Sequence, residues 1–267
     1  KYRQIKHVRI TGLGSIGQRH VRNIRKLYGE SIEILAYRKR MESPVLNPDM
    51  TVHESKNLES TYHIRSFDDL DEALFQQPDA VFITSPNVFH IPIAIKAAKA
   101  GCHLYIEKEL SHNLDGIDEL SEIVKSKKLV TYVAYQRRFH PAYRKIKEII
   151  DSGVLGNILS VHYNSGECIK DWHPYEDFRD LYACNKNLGG GVLKTETHEL
   201  DLLTWLFGNP IAVNATGGCR GPFELDVEDS AELLLDYLTF SAQVNLCFMQ
   251  KKQERNKEKG VKKEKKK

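Results

Sequence analysis

The segment Gly12-Leu13-Gly14-Ser15-Ile16-Gly17 decides the fold of this chain. It follows an apolar run that predicts a strand near Val8–Thr11, and it opens a helical pattern over Ile16–Tyr28. In this setting the first glycine permits a tight turn, the second lets a diphosphate approach the backbone, and the third allows close packing of helix on strand. The segment therefore predicts a dinucleotide-binding Rossmann unit. The alternative is a glycine-rich turn with a purely structural role.

The first half of the chain continues the alternation of short apolar runs and helical patterns that this unit requires. Such alternation predicts a doubly wound α/β fold, with helices covering a parallel sheet. The segment Arg40–Arg65 has no clear period and contains two prolines, so we expect a loop with at most a short helix. The remaining predicted strands are Ile32–Tyr37, Ala80–Thr84, Leu104–Glu107 and Val130–Tyr135, and the remaining predicted helices are Pro92–Ala100 and Leu114–Lys127.

The pattern changes after Pro141 and predicts a second, α+β domain with a mostly antiparallel open sheet. A helix over Ala142–Asp151 precedes the extended runs, and a triple glycine at Gly189–Gly191 precedes a helix from about Val192 to Phe207. The extended runs are Ile158–Gly166, Ile211–Cys219, Ala231–Leu238 and Ala242–Phe248. We therefore place a cofactor domain at 1–136, a substrate and oligomerisation domain at 137–250, and a disordered Lys-rich tail at 251–267.

Length and charge describe a two-domain protein whose folded body is not basic. At 267 residues the chain exceeds the usual single-domain length. The tail carries ten basic and three acidic residues, and removing this +7 from the overall +3 leaves −4 for the first 250 residues. A nucleic-acid surface needs basic residues concentrated on the folded part, so we expect no nucleic-acid partner.

The cysteines and the apolar runs predict a cytoplasmic protein. The five cysteines have no paired spacing, which indicates neither a disulfide framework nor a zinc site. The N-terminal segment is basic rather than of signal-peptide type, and nowhere do about eighteen uncharged apolar residues occur together. We therefore expect no metal and no membrane partner.

The second predicted strand, Ile32–Tyr37, is followed directly by a basic residue, Arg38. An NAD-specific site usually has an acidic residue at this position. A guanidinium can pair with the 2′-phosphate of NADP, so the sequence slightly favours NADP over NAD. The alternative is a solvated run of charge. Together with residues at or beyond neighbouring strand ends, the predicted cofactor contacts are Gly12, Gly14, Ser15, Ile16, Gly17, Arg38, Thr84, Ser85, Pro86, Asn87, His90, Glu107 and Lys108.

Lys108 lies at the end of a predicted strand, on the sheet edge where open α/β sheets bind ligands. An ammonium group at this edge could polarise a carbonyl or move a proton. A lysine at a strand end is also commonly just solvated, so its position alone leaves both interpretations open.

The helix after the triple glycine carries Lys194, Thr195, His198 and Asp201 at spacings of three and four, so these residues can share one face. His198 could act as a general acid or base, with Asp201 as the carboxylate that orients it. The alternative is a histidine packed against the sheet for structural reasons. The His-Glu-x-x-Asp pattern also suggests a metal site, which we discount because hydride transfer to a nicotinamide needs none.

A polar and aromatic loop, Asp171–Arg179, precedes the triple glycine. Aromatic faces and hydrogen-bonding side chains suit a carbohydrate or a carboxylated sugar, and Arg179 could bind a carboxylate with both arms of its guanidinium. A packing loop is the alternative. The predicted substrate contacts are Lys108, Arg138, Trp172, Arg179, Thr195 and His198.

Taken together, these segments resemble the Gfo/Idh/MocA family of NAD(P)-dependent sugar and cyclitol oxidoreductases. The resemblance implies that Lys108 lies at the nicotinamide and that His198 is the catalytic histidine. A further stretch, DWHPYEDFRDLYA at Asp171–Ala183, is similar to family members of nonulosonic-sugar or surface-glycan biosynthesis. The segments that carry the family resemblance are GLGSIGQRH at Gly12–His20, TSPNVFH at Thr84–His90, AGCHLYIEKEL at Ala100–Leu110, RRFHP at Arg137–Pro141 and LGGGVLKTETHELDLLTWLFG at Leu188–Gly208.

The chain departs from the family pattern in three places. Glu109 stands where the family has proline, and Lys194 and Thr195 stand where the family has an aspartate three or four residues before the histidine. After about Phe248 the Lys-rich tail stands where further strands of the family's large sheet are expected. We therefore expect a truncated second domain, and the homo-oligomer that the resemblance implies for an intact member is doubtful for this chain.

These observations predict an enzyme that transfers a hydride between NAD(P) and a hydroxyl or keto carbon of a sugar or sugar derivative. Lys108 and His198 would be catalytic and would handle the hydroxyl proton, in an order that the sequence leaves open. The alternative is a catalytically silent, NAD(P)-binding regulatory protein, which the missing aspartate and the interrupted domain favour. A nucleic-acid-binding protein that uses the basic tail is the least favoured class.

Overall fold

The computed structural model describes residues 5–40, 43–55 and 57–251. These residues form two sheets, of six and four strands. Two apolar cores belong to the six-stranded sheet and a third to the four-stranded sheet. Beyond Lys251 the tail lies outside the described residues, so its predicted disorder stays a prediction.

The first sheet is entirely parallel and has the strand order β3-β2-β1-β4-β5-β6. Because β2 and β4 flank β1, the strand order reverses there and opens a crevice at the carboxyl ends of β1 and β4. This arrangement confirms the predicted doubly wound fold. Its strands are β1 (His7–Thr11), β2 (Glu33–Tyr37), β3 (Arg65–Phe67), β4 (Ala80–Ile83), β5 (His103–Ile106) and β6 (Thr131–Val133), and its helices are α1 (Ser15–Tyr28), α2 (Leu58–Tyr62), α3 (Leu70–Phe75), α4 (His90–Lys99) and α5 (Ile117–Ser126).

Two elements of this sheet region were absent from the predicted pattern. Strand β3 has three residues and helix α3 has six, so neither is long enough to show a period. Both are stabilised by neighbours: β3 pairs with β2, and the side chain of Asp69 caps α3 by accepting the backbone N–H of Glu72 at 2.8 Å. Among the described residues of the loop predicted over Arg40–Arg65, one short helix forms, α2, as expected.

The second sheet has the order β7-β10-β9-β8. Its pairings are antiparallel except that β10 runs parallel to β7, which confirms a mostly antiparallel open sheet. Its core is built from apolar side chains such as Val192, Leu203, Leu235 and Leu246. The elements of this region are α6 (Pro141–Asp151), β7 (Ser160–Gly166), α7 (Val192–Thr195), α8 (Thr197–Phe207), β8 (Ala212–Gly218), β9 (Ser230–Asp236) and β10 (Ser241–Cys247).

The single helix predicted over Val192–Phe207 is in fact two helices, because the chain breaks at Glu196 (φ −92°, ψ 28°). The carbonyl of Thr195 does not continue the helical ladder and instead accepts a hydrogen bond from the ammonium of Lys108. The N–H of Glu199 turns to the carbonyl of Glu196 at 3.1 Å. The prediction of one continuous helical face is therefore wrong.

Among the helices of the described ranges, none combines the length and the apolar character needed to span a bilayer.

Candidate active site

The glycine-rich turn between β1 and α1 is packed tightly on one side and open on the other. Gly12 has φ +94°, and a Cβ atom on Gly17 would lie 2.0 Å from the carbonyl oxygen of Gly12. The Thr84 hydroxyl fixes the same turn by donating to the carbonyls of Thr11 at 3.0 Å and Gly12 at 2.7 Å. A Cβ atom on Gly14 would meet nothing within 4 Å. The open side lies at the N-terminus of α1, where unpaired N–H groups favour an anion, so the turn fits a diphosphate.

Arg38 lies just after β2 and is buried, with 8% of its surface exposed. Its Nε atom has no hydrogen-bond partner among the described residues. Burial lowers the pKa of Arg38, and Glu59 opposes that shift. A buried guanidinium with an unsatisfied N–H fits a phosphate group. Arg38 lines a cavity of about 780 Å³ whose other walls include Ser43, Pro44, His53, Ser55 and Asn57.

Beneath the turn, a buried network replaces the proline of the family motif. Glu109 accepts a hydrogen bond from the Asn87 amide, which also donates to the carbonyl of Gly189 at 3.0 Å. The ring nitrogens of His90 lie 2.7 Å from the carbonyl oxygen of Glu109 and 2.8 Å from that of Ser85. Asn87 and His90, which were predicted to contact the cofactor, are thus fully buried and join β4 to the segment after β5. Glu109 is therefore anchored by hydrogen bonds rather than by a proline ring.

Glu107 and the neighbouring predicted contacts lie at the carboxyl ends of β4 and β5. A carboxylate oxygen of Glu107 lies 2.7 Å from Nε2 of His20, on helix α1. Pro86 precedes a short 3-10 helix, and the hydroxyl of Ser85 is buried without a partner among the described residues. These positions border the crevice at the sheet switch point.

Lys108 reaches from the first sheet to the second. Its ammonium donates to the carbonyl of Thr195 at 2.5 Å and to the hydroxyl of Tyr182. Burial would lower the pKa of Lys108, but Tyr182, Glu109 and Glu196 outweigh it and raise that pKa overall. Burial in turn raises the pKa of Tyr182, so we treat this pair as a charged ammonium and a neutral phenol. Lys108 is therefore a protonated group inside the site, not a solvated strand end.

His198 is buried close to Lys108, with 9% of its surface exposed. The Gln136 amide donates to Nε2 of His198 at 3.3 Å, which leaves the ring proton on Nδ1. Nδ1 is buried and has no partner in the part of the chain that the structure describes. Burial, followed by the charges of Lys108 and Arg137, lowers the pKa of His198 to about 4. The histidine is thus neutral at pH 7, with one unsatisfied N–H group.

The interpretation of Asp201 as the carboxylate that orients His198 is wrong. Asp201 instead accepts two hydrogen bonds from the guanidinium of Arg138, including one from Nε at 2.8 Å. Arg138, which was predicted to contact substrate, uses its Nε and Nη2 atoms for this pairing.

Two buried carboxylates that the sequence reasoning missed lie beside His198. Glu199 accepts hydrogen bonds from Arg137, from the Tyr163 hydroxyl at 3.0 Å and from the Ser165 hydroxyl at 2.8 Å. Burial alone would raise the pKa of Glu199, but these partners lower it. Burial, followed by Glu199, raises the pKa of Glu196 to about 7. Both residues stand in the TETHEL stretch, where two acidic residues next to a buried histidine were the available signal.

Two predicted substrate contacts of the aromatic loop, Trp172 and Arg179, have other partners in the structure. Trp172 packs against Phe248 with ring centroids 5.7 Å apart, at the core of the second sheet. Arg179 has 61% of its side chain exposed and pairs with Asp177 at 3.3 Å. Among the described residues, no hydrogen bond or ion pair links either side chain to Lys108. Thr195 does reach Lys108, but through its backbone carbonyl.

The pKa values of His198 and Glu196 affect stability in opposite directions. For His198 the pKa falls from the usual 6.5 to about 4. Its stabilising contribution to the free energy of unfolding is therefore present above pH 6.5 and is lost as pH falls toward 4. For Glu196 the pKa rises from the usual 4.5 to about 7. Its stabilising contribution to the free energy of unfolding is therefore present below pH 4.5 and is lost as pH rises toward 7. In the wild-type protein these slopes oppose each other between pH 4.5 and 6.5.

We therefore expect His198→Gln and Glu196→Gln to separate the two slopes. Between pH 4.5 and 6.5, the free energy of unfolding of Glu196→Gln should rise with pH relative to that of His198→Gln, by a few kcal/mol, since one pKa unit corresponds to about 1.4 kcal/mol. Urea unfolding of both variants at several pH values measures this difference. The rest of the chain is common to both variants, so parallel profiles would contradict the two pKa shifts.

Comparison with known proteins matches both parts of the chain to one family. Residues 6–135 match the family described as "Oxidoreductase family, NAD-binding Rossmann fold", and residues 143–258 match the "GFO/IDH/MocA C-terminal domain". Among solved structures, the WlbA dehydrogenase from Bordetella pertussis in complex with NADH and UDP-GlcNAcA has a TM-score of 0.76 at 20% identity. That alignment covers 92% of this chain and 68% of the other, and it supports the fold.

Two curated relatives that this chain resembles are named as dehydrogenases. A levoglucosan dehydrogenase of Pseudarthrobacter phenanthrenivorans is 34% identical over 147 residues, which is 54% of this chain and 37% of that protein. A myo-inositol 2-dehydrogenase of Thermotoga maritima is 28% identical over 207 residues, which is 76% of this chain and 55% of that protein. The chain thus spans about half the length of the curated relatives it matches.

Proposed function

This chain belongs to the Gfo/Idh/MocA family of oxidoreductases, and from that premise we propose that it transfers a hydride between NAD(P) and a hydroxyl or keto carbon of a sugar-like substrate. The observation that carries the proposal is the placement of the Lys108 ammonium, bonded to the carbonyl of Thr195, close enough to His198 for its charge to lower the pKa of that histidine. A half-buried cation and a buried neutral histidine beside a dinucleotide turn are suited to handling the proton of an alcohol.

The residues of the crevice fit a nicotinamide dinucleotide. The open side of Gly14 and the N-terminus of α1 would hold the diphosphate, and Arg38 would hold the 2′-phosphate of NADP. Glu107 and Lys108, at the end of β5, would border the nicotinamide half. When bound, the nicotinamide supplies the hydride acceptor or donor that no amino-acid side chain can provide.

The side chains of the site support a division of labour during reduction of a ketone. The raised pKa keeps the Lys108 ammonium charged, so it can polarise the carbonyl and donate the proton to the oxygen. The Nδ1–H of His198 would donate a second hydrogen bond to that oxygen, because it has no other partner among the described residues. In the oxidation direction the Lys108 amine would take the proton back.

The substrate class rests on the relatives, which act on levoglucosan and on myo-inositol according to their names. The WlbA complex holds UDP-GlcNAcA, which supports a carboxylated or nucleotide-linked sugar as a second group to test. We further propose domains at 1–136 and 137–250 and a cytoplasmic location. The exposed apolar residues Ile211, Val213 and Leu234 on or beside the second sheet support a homo-oligomer built through that sheet.

The test is a fluorescence titration of the full chain with NADPH and NADH, followed by single-turnover assays against inositols, anhydrosugars, keto-sugars and UDP-uronic acids. We expect NADPH to bind about tenfold more tightly than NADH, since a hydrogen bond to a charged group contributes roughly 1.5–3 kcal/mol. We expect hydride transfer with at least one substrate.

Arg38→Gln is the matched control and should remove the preference for NADPH while leaving NADH binding unchanged. Tight binding of both cofactors without transfer to any substrate would favour the silent regulatory protein. Equal affinities in the wild-type protein would remove the assigned role of Arg38.

A further inference from the structure

A segment of the second half of the chain crosses to the glycine-rich turn of the first half. This segment, Asp171–Glu176, is called the strap below. Nε2 of His173 lies 3.4 Å from the hydroxyl of Ser15, and the hydroxyl of Tyr175 also hydrogen-bonds to Ser15. Ser15 is the first residue of α1, so the strap meets the turn at the helix end where the free N–H groups lie.

The polar groups of the strap are held in fixed positions. Nδ1 of His173 donates to the carboxylate of Glu176 at 2.6 Å, and this bond orients the opposite ring nitrogen toward Ser15. The rings of His173 and Tyr175 stack with centroids 5.1 Å apart and an interplanar angle of 19°. Burial raises the pKa of Tyr175, so its hydroxyl keeps its proton and can act as a donor. The strap therefore presents an oriented imidazole and a phenol at the turn.

The strap is anchored by apolar residues but meets the turn through polar atoms. Ile169 and Phe178, on either side of it, are buried in the core of the second sheet, and Trp172 packs against the same core. The described contacts of the strap with the turn, by contrast, are the hydrogen bonds to Ser15. Polar groups placed over an open, anion-binding helix end can do more than join two domains, because they lie where a diphosphate would be.

We propose that His173, in its doubly protonated form, and the hydroxyl of Tyr175 complete the dinucleotide site by donating hydrogen bonds to the cofactor's diphosphate, so that the second half of the chain helps to retain the cofactor. This inference rests on the proposed function, in which the glycine-rich turn binds NAD(P). The hydroxyl of Ser15 would turn from the strap to the same phosphate. Because Nδ1–H of His173 donates to Glu176, Nε2 can donate to a phosphate oxygen only when the ring carries both protons. The carboxylate of Glu176 on one side and the diphosphate on the other would both favour that imidazolium.

Three ligands test the proposal: NADPH, ADP-ribose, which has the diphosphate but no nicotinamide, and adenosine 2′-monophosphate, which has no diphosphate. In the full chain, His173→Ala and Tyr175→Phe should each weaken NADPH and ADP-ribose about tenfold, which corresponds to one hydrogen bond to a charged group. They should leave adenosine 2′-monophosphate unchanged. Stopped-flow fluorescence should show a correspondingly faster release of NADPH.

His7→Ala is the matched control, because His7 also pairs with a glutamate, Glu33, but stands at the opposite end of β1. It should bind all three ligands like the wild-type protein. Unchanged affinities in both strap variants would overturn the proposal, as would an equal loss for all three ligands, which would mark a structural role. A wild-type protein that binds neither NADPH nor ADP-ribose would overturn the proposed function itself, and this inference with it.

Discussion

Lys108→Met is expected to lower the rate of hydride transfer by about 10²- to 10⁴-fold, the range that a positioned proton donor contributes. Methionine keeps the length and apolar stem of the side chain but removes the ammonium. The lost group is the half-buried cation held by the carbonyl of Thr195 and the hydroxyl of Tyr182. No other ammonium in the described contacts of the site replaces it.

The measurement is single-turnover transfer with the substrate found in the panel, together with an NADPH titration. We expect the affinity for NADPH to change by less than about fivefold, because most of the cofactor site lies at the glycine-rich turn and Arg38. Lys194→Met is the control, since it removes a lysine from the neighbouring helix α7 and should leave the rate close to that of the wild type. A Lys108→Met variant that binds NADPH and transfers hydride at the wild-type rate would refute the role of Lys108.

Gly17→Ala is expected to abolish cofactor binding and to lower the free energy of unfolding by about 2–4 kcal/mol. The added methyl group would lie 2.0 Å from the carbonyl oxygen of Gly12 and 3.0 Å from the Thr84 hydroxyl. The first of these contacts is with backbone and cannot be relieved by a side-chain rotation. Helix α1 must therefore move away from the turn, which spoils the alignment of its N-terminus.

Gly14→Ala is the matched comparison within the same motif. Its methyl group would meet no protein atom within 4 Å, so we expect the free energy of unfolding to stay within about 0.5 kcal/mol of the wild type. Its NADPH affinity should nevertheless fall, because the methyl group points into the space that the diphosphate needs. Urea unfolding and fluorescence titration of both variants give the two readouts. A Gly17→Ala protein as stable as Gly14→Ala would contradict the packing described for the turn.

Hydrogen bonds and a nearby carboxyl group compensate for two of the departures from the family motif. Glu109 replaces a proline, yet hydrogen bonds that it accepts from Asn87 and from His90 hold its segment in place. The aspartate missing before His198 has no direct substitute at its position, but Glu196 places a carboxyl group beside Lys108. The argument for a silent protein is weaker once these contacts are known, because the surroundings of Lys108 still favour a charged ammonium.

Local sequence was sufficient to predict the Rossmann sheet, the glycine-rich turn and the position of Lys108 at a strand end. These features depend on residues within a few positions of one another, such as the run from Val8 through Gly17, and on periods that apolar burial imposes on strands and helices. The second sheet was predictable for the same reason. The short elements β3 and α3 were not, because three and six residues cannot display a period.

Only the tertiary structure decided which side chains meet. The partner of Asp201 is Arg138, 63 positions away. The hydrogen bond between Ser15 and His173 joins residues 158 positions apart. Spacing along one helix could not show these pairs. Nor could it show the break at Glu196, where the carbonyl of Thr195 accepts a hydrogen bond from Lys108 instead of one from the next turn of the helix. Periodicity records which face of an element is buried, whereas the choice of a hydrogen-bond partner depends on how two distant elements pack together.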